Sequence, residues 1–455
     1  MENKFYHSVY LKPDLCKGCI HCLKRCPTQA IRVLDGKAAI IREFCIDCSE
    51  CILHCPYHAK SSHFAPIHVL ENYEYNVALV DPSMYGQFNN LKDINIILTA
   101  FLTIGFDDVF EVAYAHEYLL EKTREYMDAH PDIRPVINTS CPTVDRLIRV
   151  RFPNLIENLL PLQSPAEIAA EAALKEALDK TGLPREKIGI IYIAPCPAQV
   201  SYVQSPIGIE ESDINETLAM KDLYKPLLYG MNLVREHPLP LSRCGDLGIA
   251  LGTTCQEAKG VCSDLYMAAD GIENVISVLN DIEDEKLTPE LRFAELKGCR
   301  GGCVGGVLNV ENPYIARAKI KKLTGITPMT RSSKDFFEGT CGIDPAWTDE
   351  VVYEPVFRLG TSMIESMVNM AKVEEILNSL PQLDCGSCGA PTCRALAEDI
   401  VRGTNDASKD KCIYLMRGKY YKMLKEAQKN KIDRRGAKTP EDDEDGSGRP
   451  QGTDP

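Results

Sequence analysis

Sixteen of the chain's 20 cysteines fall into ordered sets. Cys16, Cys19, Cys22 and Cys26 form C-x2-C-x2-C-x3-C-P, and Cys45, Cys48, Cys51 and Cys55 repeat it. Cys141, Cys196, Cys299 and Cys303 sit singly or paired on turns rich in glycine or proline. Cys385, Cys388, Cys393 and Cys412 follow as C-x2-C-x4-C-x18-C. Thiolates at these spacings bind iron–sulfur clusters, so the chemistry to expect is electron handling. Zinc is the alternative for the first two sets. Zinc, however, takes pairs of C-x2-C knuckles rather than three cysteines in one tight run followed by Cys-Pro.

Composition narrows the class. A disulfide scaffold needs a short secreted chain, and this one has 455 residues with no basic-then-apolar leader in Met1 to Leu15. No apolar run approaches the roughly 18 residues of a membrane span. A net charge of −14 argues against nonspecific nucleic-acid binding. The expected setting is a reducing cytoplasm, in which clustered cysteines read as metal ligands.

Elements must carry these thiols to one place. Residues 1–70 repeat with a period of 29, which maps Cys16 onto Cys45 and Cys26 onto Cys55. Between the halves, Ala30–Ile41 reads as a β-like stretch with its turn at Asp35-Gly36. Such a module is too small to hold together on apolar burial alone. From about residue 75 strands and helices alternate. Strands are expected at 76–80, 108–112, 134–138, 187–194 and 291–296; helices are expected at 91–104, 117–129, 166–180 and 264–279. Ser164 caps the 166–180 helix and Gly182 ends it. The three turns with the middle cysteines all follow strands, where α/β proteins place their sites. Residues 371–428 read as a small helical cluster domain after a connecting segment 331–370, and 429–455 as a disordered tail.

The first two cysteine sets resemble those of two-cluster ferredoxins, in which each run lends its fourth cysteine to the other cluster. That resemblance implies one [4Fe-4S] cluster on Cys16, Cys19, Cys22 and Cys55, and a second on Cys45, Cys48, Cys51 and Cys26. The loops Thr139-Ser140-Cys141-Pro142, Ala194-Pro195-Cys196-Pro197-Ala198-Gln199 and Glu295 to Gly306 resemble, in order and spacing, the three signature loops of [FeFe]-hydrogenases. The resemblance covers residues 1–320, with the active-site domain assigned to 71–330. It implies a central cubane on Cys141, Cys196, Cys299 and Cys303, with Cys303 bridging to a possible diiron subsite that carries CO and CN. The implied fold is α/β: two βα lobes with parallel sheets around a central Fe-S site, an N-terminal α+β ferredoxin-type module and a small helical C-terminal cluster domain.

Departures from the family pattern locate the residues to watch. Ser140 replaces the thiol that passes protons to the diiron site, and a hydroxyl is a poor proton donor near neutral pH. Gln199 replaces a lysine that binds a cyanide, and an amide lacks the charge that strengthens such a bond. Ala194 and Lys297 replace methionines. Lys297 could bring a cation into the pocket from the third loop, or it could face solvent or pair with Glu295. The C-terminal set resembles the four-cysteine cluster domain that accompanies sensory hydrogenase-like proteins, with a C-x2-C redox or zinc site as the alternative. Cys244, Cys255, Cys262 and Cys341 fit no cluster spacing and read as free buried thiols, although Gly245–Gly260 could bring Cys255 toward the centre. Met416–Lys438 is basic and helix-prone.

Three functions follow from this reading. The first is a slow or sensory redox protein that responds to H2 or to electron potential. The second is a slow ferredoxin-dependent hydrogenase. The third is an electron-transfer or scaffold protein on the same fold without the diiron unit. The partner is a ferredoxin or other redox protein, or a separate signalling protein.

Overall fold

A computed structural model describes residues 6–262, 264–287 and 290–436, with side chains described as far as residue 430. The chain divides into two compact units, 1–358 and 359–455.

In the first unit, the N-terminal repeat closes through two antiparallel pairs. Val9–Leu11 pairs with Lys60–Ser62, and Ile31–Leu34 forms a hairpin with Lys37–Ile40. Asp35 and Gly36 both have positive φ (48° and 72°), as a two-residue hairpin turn requires.

The α/β part contains two parallel sheets. One has four strands in the order Asp108–Glu111, Tyr75–Val80, Ile188–Ala194, Glu216–Ala219. Every residue of Ile188–Ala194 is buried, as a central parallel strand with both faces covered demands. The second sheet runs Tyr266–Asp270, Phe293–Lys297, Val136–Ile137. Apolar clusters flank the first sheet on both faces, and a third packs on the second sheet. Helix Pro165–Thr181 starts at Ser164, whose Oγ accepts from Glu167 N, and stops at Gly182 with φ 68°.

One expected element is different. Residues 264–279 were expected as one helix; the structure has strand Tyr266–Asp270, then Gly271 at φ 81°, then helix Ile272–Glu283. The run Tyr-Met-Ala-Ala has good helix propensity. Parallel pairing of Tyr266–Asp270 with Phe293–Lys297 overrides it, and the left-handed glycine separates strand from helix. The 91–104 helix is shorter than expected (Asn95–Leu102), and the strand near 134–138 is only Val136–Ile137.

The second unit begins at Leu359, ahead of the boundary expected at 370, and takes in helix Met363–Asn378. Its last helix, Ile413–Gly436, runs past residue 429, where a disordered tail was expected to start. The segment is dense in Lys and Arg, which carry the helix onward. The remainder of that expected tail, 437–455, lies outside the described residues. Among the described residues no helix is long and apolar enough to cross a membrane.

Candidate iron–sulfur sites

The thiols gather in the N-terminal module as follows. Cys16, Cys19, Cys22 and Cys55 line one cavity. Cys26, Cys45, Cys48 and Cys51 line another. Each cavity therefore has three thiols from one run and one from the other. Ala30 N and Ala59 N donate to Cys26 Sγ and Cys55 Sγ, both at 3.2 Å, so the repeat is matched in its N–H···S bonds. Burial pushes the Cys51 thiol up to about 12. For Cys16, N–H groups of Gly18 and Ala38 together with Lys60 and Lys37 outweigh burial and hold the thiol below its usual value. Thiols crowded this way ionise together only when a metal offsets their charge, which suits an iron cubane.

The central site lies at the carboxyl ends of both sheets. Cys141 precedes helix Pro142–Arg151 and Cys196 precedes helix Pro197–Gln204. Cys299 lies just beyond strand Phe293–Lys297, and Cys303 opens the 3-10 turn Cys303–Gly305. Glycines let the third loop close on the others. Gly302 has φ 90°, and a Cβ there would come within 2.8 Å of Thr254 N. A Cβ on Gly306 would collide with the Pro195 carbonyl of the second loop. The four thiols feel one another's charge: burial, then Cys196, Cys141 and Cys303, pushes Cys299 well above its ordinary value. Cys48 and Cys141 pack against the same apolar cluster, so the cavity holding Cys48 is the N-terminal site that faces the centre. The donor set of four partly buried thiols fits a cubane.

Around these thiols lies a buried polar group. Lys297 is 2% exposed, so it does not face solvent, and among the described residues it forms its ion pair with Glu257 rather than Glu295. Its Nζ donates to Glu257 Oε2 at 2.8 Å and to Ser140 Oγ at 2.6 Å. Ser140 Oγ donates to the same carboxylate oxygen at 2.8 Å and accepts from Asn138 Nδ2 at 2.7 Å. His116 Nε2 stands 3.7 Å from Glu257 Oε2. Burial opposes both charges, yet Lys297 and His116 draw Glu257 far below the usual carboxylate range, and Glu257 holds Lys297 well above its ordinary value. Glu295, two residues along the same strand face, instead accepts from Cys255 N at 2.8 Å and Ala258 N at 2.9 Å. Burial lifts it to about 7. Gln199 is 7% exposed, and its Oε1 has no hydrogen-bond partner among the described residues.

Glu257 and His116 carried no signal in the sequence, being single residues on helices Gln256–Val261 and Val112–Ala129. The nearest pointer was the stretch around Cys255, which does reach the centre, although through Glu257. Cys244 donates its S–H to Glu111 Oε1 at 3.1 Å, and Cys262 and Cys341 pack against the apolar core. In the second unit Cys385, Cys388, Cys393 and Cys412 line one cavity, with Cys393 opening a helix whose Thr392 cap accepts from Ala395 N.

Comparison with known proteins agrees with this division. Residues 8–56 match the family described as "4Fe-4S dicluster domain", 74–228 match "Iron only hydrogenase large subunit, C-terminal domain", and 380–414 match "Putative Fe-S cluster". The third cysteine loop lies beyond the hydrogenase match. A curated relative, the NADP-reducing hydrogenase subunit HndD of Solidesulfovibrio fructosivorans, is 23% identical over 227 residues, covering 42% of this chain and 39% of that protein. The chain thus spans about two fifths of the length of that relative. Among solved structures, a variant of [FeFe]-hydrogenase HydA1 from Chlamydomonas reinhardtii is 13% identical with a TM-score of 0.44, covering 62% of this chain and 95% of that one. The [FeFe]-hydrogenase HydA(deltaEFG) is 14% identical with a TM-score of 0.38, covering 54% and 83%. This is an iron–sulfur protein. Its central domain is of the iron-only hydrogenase large-subunit type, placed between a 4Fe-4S dicluster domain and a C-terminal Fe-S domain.

Proposed function

We propose that the chain is a slow, sensory-type hydrogenase-like redox protein that responds to H2 or to electron potential and passes the signal to a redox or signalling partner. Cys141, Cys196, Cys299 and Cys303 would hold the central cubane, with a diiron subsite at Cys303. When bound, the diiron unit would supply the hydrogen chemistry. The chain's own residues exclude water, position the thiols and present charge. One observation carries the slow reading: the Ser140 hydroxyl is already engaged with Glu257, Lys297 and Asn138. A hydroxyl with a high pKa, tied down on three sides, moves protons poorly.

The test is hydrogen-driven reduction of protein loaded with iron, sulfide and a synthetic diiron complex, followed as bleaching of the visible cluster absorbance. Slow bleaching is expected, with Ser140→Cys faster by about a hundredfold, the lower end of what a positioned proton carrier contributes. Equal rates for the two proteins would refute the role given to Ser140. No bleaching in either would favour an electron-transfer or scaffold protein.

A further inference from the structure

The two N-terminal half-repeats are matched in backbone and mismatched in charge. Gly18 and Asp47, equivalent by the period of 29, have φ of 65° and 52°, and the equivalent Gln29 and His58 have 56° and 51°. The N–H···S bonds of Ala30 and Ala59 are also equal. Two other equivalences break. Ile31, 2% exposed, lines the inner cavity, which holds Cys48; its counterpart Lys60, 3% exposed, lines the outer cavity with Cys16, Cys19, Cys22 and Cys55. Lys60 Nζ is buried with no hydrogen-bond partner among the described residues. Asp47, equivalent to Gly18, lines the inner cavity, with its Oδ1 3.8 Å from Cys45 Sγ.

An ammonium buried without a partner is costly unless a negative group sits beside it. Among the described residues no carboxylate lines the outer cavity, so the negative group beside Lys60 would be a cubane with its four thiolates. Lys60 acts most directly on Cys22, Cys51 and Cys16, two of which belong to the outer set. Ala38 N adds a further donor to Cys16 Sγ at 3.4 Å. At the inner site the carboxylate of Asp47 acts on Cys45 and Cys51. Arg146 Nη1 and His7 Nδ1, each 2.7 Å from Asp47 Oδ2, soften that charge from the side of the other carboxylate oxygen. Positive charge and N–H···S donors favour the reduced cluster, and negative charge disfavours it.

We infer that Lys60 and Asp47 split the potentials of the two N-terminal clusters, so that the outer one is reduced first and is the resting place of an electron shared between them. The wire is thereby biased from the buried centre outward. The inference rests on the two N-terminal cubane sites and is independent of the diiron subsite. Lys60 and Asp47 act here as positioning residues for charge.

The test is a potentiometric titration of the reconstituted full chain followed by electron paramagnetic resonance. Lys60→Ile, which imports the residue of the other half, is expected to move the earlier-reducing N-terminal signal to more negative potential, while Lys60→Arg leaves it in place. Asp47→Asn is expected to move a different signal to less negative potential. If Lys60→Ile does not load, Lys60→Gln replaces it with the same expectation. Unmoved potentials, or both substitutions moving one signal, would overturn the inference while leaving the clusters in place. Wild-type protein without the iron and sulfide of these clusters would overturn the cluster reading along with it.

Discussion

In the N-terminal module eight cysteines lie between Cys16 and Cys55, and three of the seven residues at its apolar core are themselves cysteines. In the central domain four cysteines, from Cys141 to Cys303, arrive on separate loops of two sheets whose cores are built from Val, Ile, Leu, Ala and aromatic side chains. The module is therefore expected to depend on its metal for cohesion, whereas the central domain is expected to stand on its own packing. The surroundings differ in the same sense. Near the module's thiols lie backbone N–H groups, the ammonium of Lys60, unpaired among the described residues, and Asp47 with its partners Arg146 and His7. The central thiols have a buried network of Lys297, Glu257, Ser140, Asn138 and His116 beside them.

Removing iron should separate the two regions most strongly. In hydrogen–deuterium exchange of anaerobic protein, chelation is expected to abolish protection across residues 8–62 while strands 75–80 and 188–194 keep theirs. Uniform loss would show that the central domain also needs its metal. The next largest effect concerns the central network. Lys297→Met leaves Glu257 buried without its main partner and is expected to cost about 3–5 kcal/mol in denaturant unfolding, with Lys297→Met/Glu257→Gln recovering most of it. Equal stability of the single and double variants would mean the pair is not coupled.

A smaller effect tests the packing of the central domain alone. Burial raises Glu167 from 4.5 to about 7 against the opposing bonds from Ser212 Oγ and Asp213 N. The folded state therefore holds this proton more tightly than the unfolded state. Its contribution is fully present below about pH 4.5 and is lost as pH rises through about 7. A shift of this size corresponds to about 3 kcal/mol. Between pH 5 and 8 the wild type is expected to lose stability relative to Glu167→Gln by most of that amount. Parallel profiles would show that Glu167 is already ionised.

The same contrast explains what could be read from the residues alone. Cysteine spacing is local, so the two runs in the module and the strand–turn placement of the middle cysteines were legible; the exchange of the fourth cysteine between runs came from the resemblance to two-cluster ferredoxins. So were Ser164 and Gly182 as helix ends, because capping is decided within one turn. Strand Tyr266–Asp270 was not, because its pairing with Phe293–Lys297 outweighs local propensity. Glu257 and His116 were invisible for a similar reason: they meet Lys297 only after three separate elements fold. Lys297 was recognisable as out of place, but its partner was not.

On the proposed function, the central domain would hold a diiron unit as well as a cubane. Infrared spectroscopy of anaerobically reconstituted protein, incubated with a synthetic diiron complex and then desalted, tests it directly. Retained CO and CN bands that shift under H2 are the expected result. Absence of those bands in protein that carries the iron and sulfide of its cubanes would contradict the account and leave an electron-transfer protein in which Lys297 serves only to neutralise Glu257.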